Sequence, residues 1–336
     1  MTNPVQPERQ GPRLNLPAWL PVWTPHQWLD ALLAPGLLPV AGVALLVLAG
    51  VDNRFVDLLA QFTAPVLIAT LLLTLGLGLL RLKAAAGAGG LATLLLALAV
   101  WPQWFPEASR PDPEAAIVRL YSANLFYLNN DTARIRRSIE AADADIVVLI
   151  ELASDPALRI DAVLAGYPYR AASMRLDQTR GPSRSVIASR WPLTTRDDPP
   201  DGLHAVAATA QTPLGPIHIV GVHLTRPWPF QHSWGQISQT MALDAVVGGM
   251  DGPVVVAGDF NSVSSARIGR QIRRDLGLRP APGFPGTWPT DLPSALGITI
   301  DQVYASPDLA FVSRGLGQST GSDHRPVVTG FTRARP

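Results

Sequence analysis

The chain has 336 residues, a formal net charge of +1 and no cysteine, which excludes disulfides, a thiolate nucleophile and a cysteine-based zinc site. Near-neutral charge gives no compositional pointer to nucleic acid, and a hydrophobic content of 47% against 16% charged residues is high for a soluble chain. The length fits about two domains, and the apolar excess is local, because it lies before residue 107.

Residues 1–30 are proline-rich and carry Arg9 and Arg13, with Trp23 and Trp28 near their end. The first long apolar run starts too far in for a secretory signal, so this stretch reads as a cytoplasmic tail. Three uncharged runs follow: 31–51 between Asp30 and Asp52, 58–80 between Asp57 and Arg81, and 84–106 between Lys83 and Glu107. Each covers the roughly 20 residues that cross a bilayer as a helix, so residues 31–106 read as a transmembrane region. Arg9, Arg13, Arg81 and Lys83 place the N-terminus and the second loop in the cytoplasm by the positive-inside rule. Three spans then put everything after residue 106 outside the cytoplasmic membrane. That side depends on the third run, which is small and glycine-rich over 84–90 and has Trp101 and Trp104 as an aromatic interface. Residues 107–116, with Pro106 before them and Pro111 and Pro113 within, read as a stiff linker.

From residue 117 to 333 the composition is that of an ordinary soluble domain. Strand patterns cover 117–123, 145–150, 167–172, 184–189, 203–212, 216–224, 253–257, 298–305 and 325–331. Helical spacing covers 132–142, 156–165, 231–248 and 264–276, the last with a basic face. Buried strands interleaved with hairpins predict an α+β fold in which two mixed sheets pack face to face with helices outside.

Several strands end in polar residues. Ser122-Ala123-Asn124 ends in an amide, and Leu149-Ile150-Glu151 in a carboxylate. Gly221-Val222-His223-Leu224 carries an imidazole. Val254-Val255-Val256-Ala257 runs into Gly258-Asp259-Phe260-Asn261. Asp301 follows Ile300, and Ser322-Asp323-His324 precedes the last strand. Singly, each has an ordinary explanation: an Asx turn at Asp259, a loop carboxylate at Glu151, a satisfied core histidine at His223, a surface turn at Asp323-His324. Together they would line one cleft with four carboxylates, two imidazoles and two amides, since burying them unpaired is costly. That donor set suits a hard divalent cation with oxygen ligands, Mg²⁺ first, with Mn²⁺ or Ca²⁺ as alternatives.

In their order, Asn124, Glu151, Gly-Val-His223-Leu, Gly-Asp259-Phe-Asn261, Ile-Asp301-Gln-Val-Tyr and Ser-Asp323-His324-Arg-Pro resemble the endonuclease/exonuclease/phosphatase superfamily over residues 117–333. The resemblance implies a four-layer α/β sandwich and metal-dependent cleavage of a phosphate ester. It makes Glu151 the principal metal ligand, with Asn124 and Asp323 close to the metal. Asp259 positions or deprotonates the attacking water, and Asn261 orients the water and the phosphate. Asp301 holds His324, which contacts phosphate or acts as base, and His223 is general acid or phosphate ligand. Asn124, Asn261 and His223 also bind substrate in this scheme. Phe126 stands where some relatives carry an Asp, which argues against a second metal there.

Two stretches bear on substrate. Arg170, Arg175, Arg180 and Arg184 crowd one segment and would steer an anion, or else form a solvated face. Leu224–Gln231 is aromatic and proline-rich, either a lipid- or base-facing rim or a rigid packed loop. The expectation is a membrane-anchored phosphodiesterase acting on lipid or another extracytoplasmic phosphate ester. The alternatives are an anchored nuclease on DNA or RNA, and a non-catalytic binding domain of the same fold.

Overall fold

In a computed structural model, which describes residues 23–173, 184–196, 202–226 and 232–335, the chain enters its first helix through a capping box. Thr24 accepts from Gln27 N while its own N–H donates to Gln27 Oε1 at 2.9 Å, and Pro25 follows, so α1 spans Pro25–Leu48. The second apolar run is broken: α2 (Arg54–Ala60) and α3 (Thr63–Leu79) meet at a 63° bend. Pro65 accounts for the break, because its ring collides with the carbonyl four residues back, at Gln61, and it has no N–H to donate there. Helix α4 covers Lys83–Trp104. Pro25–Leu48 and Lys83–Trp104 are each long and apolar enough to cross a membrane, and the bent pair adds a third candidate if taken as one span. Asp30, expected as a boundary charge, lies inside α1 and caps α4 by accepting from Ala84 N at 3.0 Å and Ala85 N at 2.7 Å.

The soluble part begins with β1 (Val118–Asn124), α5 (Thr132–Ala142) and β2 (Ile146–Ile150). Two short helices, α6 (Ser154–Leu158) and α7 (Ile160–Val163), replace the single expected helix. Then come β3 (Tyr169–Ala172), β4 (Val186–Ser189), β5 (Leu193–Thr195), β6 (Ala205–Thr212), β7 (Gly215–His223) and α8 (Trp234–Gly248). The chain closes with β8 (Val254–Asp259), α9 (Arg267–Asp275), β9 (Arg279–Pro280), β10 (Asp301–Ala305), β11 (Leu309–Leu316) and β12 (Val327–Arg333).

These strands form two six-stranded mixed sheets, ordered β11-β12-β1-β2-β4-β3 and β5-β6-β7-β8-β10-β9. Alternate side chains explain the layers. Leu120, Val148 and Ile187 of one sheet meet Ile219, Val255 and Val303 of the other in the central core. Tyr121, Val147 and Leu149 point the other way, under Ile135 and Ile139 of α5. Val220, Val256 and Tyr304 lie under Leu243 of α8 and Ile268 and Ile272 of α9. These are the two packed sheets with helices outside that the strand pattern predicts, and the four-layer sandwich that the resemblance implies.

The linker does not swing free. Pro111 bridges to Ala334, Asp112 N donates to Arg333 O at 2.9 Å, and Arg279 reaches Glu107 at 2.8 Å. The helical segment also docks on the domain, through a buried cluster in which Val47, Ala60 and Ala99 meet Val263, Ala266, Ile298 and Ile300.

Candidate active site

The sheet registers gather the polar strand ends. Strand β1 runs parallel to β2 with Asn124 level with Ile150, so Asn124 and Glu151 leave the same edge. Strand β7 runs parallel to β8 and sets His223 beside Asp259. The antiparallel strand β10 starts where β8 ends, pairing Asp301 with Asp259. The segment carrying Asp323 and His324 precedes β12, which pairs antiparallel with β1.

Backbone conformation aims these groups. Gly258 has φ 144°, and a Cβ there would sit 2.0 Å from Val222 O, so only glycine fits between β7 and the end of β8. Glu151 (φ 54°) and Asn261 (φ 47°) hold left-handed conformations that non-glycine residues adopt at a cost of about 1–3 kcal/mol each. Phe126, at φ 60°, borders the same cleft.

The side chains form one connected array. Asn124 Nδ2 donates to Glu151 Oε1 at 3.1 Å and to Asp259 Oδ2 at 3.0 Å, while its Oδ1 accepts from Phe126 N. His223 Nε2 lies 3.2 Å from Glu151 Oε1 and 3.9 Å from Asp259 Oδ2. Asp259 Oδ1 accepts from Asn261 N at 2.8 Å, and Asn261 Nδ2 donates to Leu224 O at 2.8 Å. His324 Nδ1 sits 2.9 Å from Asp301 Oδ2, and its Nε2 lies 4.0 Å from Asp259 Oδ2. Asp323 also borders the cleft, but its Oδ2 accepts from Trp288 Nε1 at 3.1 Å.

Burial pushes the Asp259 carboxyl up to about 6, against the pull of the nearby imidazoles. Burial alone would lower His324, yet the carboxylates of Asp301 and Asp259 outweigh it and raise the imidazole to about 10. Near neutral pH the array therefore holds a charged His324 beside an Asp259 whose proton affinity burial has raised.

Among the described residues, two groups have the spacing a metal ion needs. Ligand atoms of Glu151, His223 and Asp259 lie within 4.8 Å of one another, as do those of Asp259, Asp301 and His324. The first fits a divalent cation, with two carboxylates and an amide neighbour in Asn124. In the second, His324 already engages Asp301, which suits an orienting pair better than a ligand set. Asp323 belongs to neither group.

The cleft has a volume of about 660 Å³. His204 shows no strand-end setting in the sequence, yet it lines this cleft, and its carbonyl accepts from His223 N at 2.9 Å. The β6–β7 hairpin register, Ala205 opposite Val222, is the signal that would have placed it there. Thr287 and Ser322 were also missed: Thr287 Oγ1 accepts from Asp301 N at 3.2 Å, and Ser322 Oγ from His324 N at 3.0 Å. His218 is held by Thr209 and Asp251 O, as expected of a structural histidine. Of the arginine-rich segment, Arg170 pairs with Asp161 and Arg184 donates to Ser154 Oγ at 3.0 Å, so both serve the domain itself. Arg175 and Arg180 lie outside the described residues, as do Trp228 and Phe230 of the aromatic stretch.

Residues 121–324 match the model of the Endonuclease/Exonuclease/phosphatase family, and the chain belongs to that family. It is a metal-dependent hydrolase of phosphate ester bonds. Solved structures share the fold. The endonuclease/exonuclease/phosphatase from Bacteroides vulgatus is 15% identical, with a TM-score of 0.53 over 65% of this chain and 99% of that one. The protein of the same description from Beutenbergia cavernae is 20% identical, with a TM-score of 0.51 over 65% and 72%. The endonuclease domain of TRAS1, a telomere-specific non-LTR retrotransposon, is 17% identical, with a TM-score of 0.50 over 66% and 100%. A comparison with curated protein sequences returns no match.

Proposed function

We propose that this family member is a membrane-anchored, Mg²⁺-dependent phosphodiesterase whose catalytic domain lies outside the cytoplasmic membrane and acts on lipid head groups or other phosphate esters near the bilayer. One observation carries the reading: a hydrolase cleft and a set of membrane-length apolar helices pack together as one body. The ends of the helices support the orientation. Val47 near the end of α1, Ala60 at the end of α2 and Ala99 near the end of α4 all meet the catalytic domain. At the opposite end, Asp30 caps α4 and His26 Nε2 lies 3.0 Å from Leu80 O. Three crossings fit this pairing, and they leave Arg81 and Lys83 on the side away from the domain, as the positive-inside rule requires.

The reaction is in-line attack of water at phosphorus. A divalent cation held by Glu151, with Asn124 and Asp323 at hand, would neutralise charge on the phosphoryl oxygens. Asp259, raised toward neutrality by burial, accepts the proton of the attacking water as the new O–P bond forms. Asn261, fixed by Leu224 O, orients that water. His324, kept cationic by Asp301, donates to a phosphoryl oxygen as negative charge builds. His223, at the cleft wall, delivers a proton to the leaving oxygen as its bond to phosphorus breaks.

An anchored nuclease is the second reading, favoured by the fold shared with the TRAS1 endonuclease domain. A net charge of +1 counts against a broad nucleic-acid surface. The deciding experiment presents the full chain in detergent with Mg²⁺ and either a mixed phospholipid panel or supercoiled plasmid, with Asp259→Ala as control. Lipid cleavage lost in the variant supports the first reading. Nicking without lipid cleavage replaces it with the second, and activity on neither substrate nor on bis(p-nitrophenyl) phosphate refutes both.

A further inference from the structure

The bend between α2 and α3 sends one side chain of the helical segment into the catalytic domain. Gln61, at that bend, is buried. Its Nε2 donates to Asp57 O at 2.9 Å, which fixes the amide, and its Oε1 accepts from Val263 N at 2.8 Å. Nε2 also lies 3.5 Å from Ser262 Oγ. Ser262 and Val263 directly follow Asn261, so the contact falls on the loop that aims the water-orienting amide.

That loop is clamped at several points. Phe260 N donates to Ile300 O at 2.9 Å, Gln236 Nε2 to Phe260 O at 2.7 Å, and Gln302 Nε2 to Ser262 O at 3.1 Å. These clamps come from the catalytic domain, whereas the one on Val263 comes from the helices. Asn261 holds a left-handed conformation that only its surroundings maintain. Docking does not rest on the amide alone: the apolar cluster around Val263, Ala266, Ile298 and Ile300 already joins the two parts.

We infer that the helical segment is a working part of the active site, with Gln61 as a positioning residue that sets the 260–263 loop and, through it, Asn261. This rests on the hydrolase reading above. The full chain in detergent, with Mg²⁺ and bis(p-nitrophenyl) phosphate as probe, tests it. Gln61→Met keeps volume and removes the amide. It should lower kcat about tenfold with KM within about twofold, because orientation rather than binding is lost. The backbone amides of 260–263 should also exchange faster. Ser233→Ala cuts a different bridge, Ser233 Oγ to Asp57 Oδ2 at 3.2 Å, and should change neither quantity. If Gln61→Met fails to fold, Gln61→Asn, polar but too short to reach, should give the same two effects. Unchanged kcat with unchanged exchange overturns the inference, and so does an equal loss in Ser233→Ala. If the wild-type chain hydrolyses nothing, the functional reading fails by itself. The exchange data then decide the clamp: faster exchange at 260–263 supports it and unchanged exchange overturns it.

Discussion

His324 and Asp301 form a buried pair, Nδ1 to Oδ2 at 2.9 Å, and the other ring nitrogen of His324 faces Asp259. The pair gives the site a fixed cation at the side of Asp259. It also ties stability to pH in a definite direction, because the folded-state imidazole is raised to about 10 from an ordinary value of 6.5.

A group raised on folding contributes stability that is complete below its unfolded value and is lost as pH climbs through its folded one. Asp301→Asn should therefore destabilise the metal-free protein most below pH 6.5, and the gap to wild type should close as pH rises toward about 10. Denaturant midpoints across that range check the trend. Imidazole NMR should show His324 charged from pH 5 to 8 in wild type and titrating within that window in the variant. A wild-type titration near 6.5 would remove the pair from its assigned role.

Metal binding should follow the Glu151 group. Saturating Mg²⁺ at about 100 times its Kd stabilises a folded protein by roughly 2.7 kcal/mol. Glu151→Gln should lose most of the thermal shift that Mg²⁺ gives wild type, since an amide oxygen carries no charge to offset the cation. The wild-type shift should shrink as pH falls below about 6, where a proton on Asp259 removes a negative charge beside the cation. An undiminished shift in Glu151→Gln would move the metal elsewhere.

Much of this site could be read before the fold was known, because its residues terminate strands. A buried run such as Val254 to Ala257 has no use for an aspartate at its end unless something there needs charge, and the register then sets Asp259 between His223 and Asp301. Contributors outside such runs were not legible. Thr287 and Trp288 lie in an irregular stretch without periodicity, and only the folded chain brings them to Asp301 and Asp323. Strand β11 was missed as well. It is an edge strand with one neighbour, a register shift between Phe311 and Ser313 and mostly half-buried or exposed positions after Ala310, so it shows neither a buried run nor clean alternation. The break at Gln61 was hidden inside an uncharged run, where hydropathy outweighed the signal of Pro65.

Gly258→Ala should damage the fold before the chemistry. Its Cβ would meet the Val222 carbonyl at 2.0 Å, and the backbone at φ 144° suits only glycine, so β7 and β8 must part where His223 and Asp259 sit side by side. A loss of about 3 kcal/mol or more is expected, together with loss of the Mg²⁺ shift. Thermal melts with and without Mg²⁺ measure both, and a stable variant that binds metal normally would contradict the close approach.

The orientation can be checked without any substrate. In a three-span topology the bend at Gln61 and the ends of α1 and α4 share the face that carries the catalytic domain, and Arg81 and Lys83 lie opposite. A reporter fused after Pro336 should then read as extracytoplasmic, and one inserted between Arg81 and Lys83 as cytoplasmic. Reversing the charge balance, with Arg81→Glu and Lys83→Glu, should weaken that preference and yield a mixed readout, since basic residues in short loops set the direction of insertion. A cytoplasmic reading at Pro336 in the wild-type chain would mean that one of the three runs does not cross, and the broken α2–α3 pair, bent by 63°, is the one whose geometry departs most from a straight span.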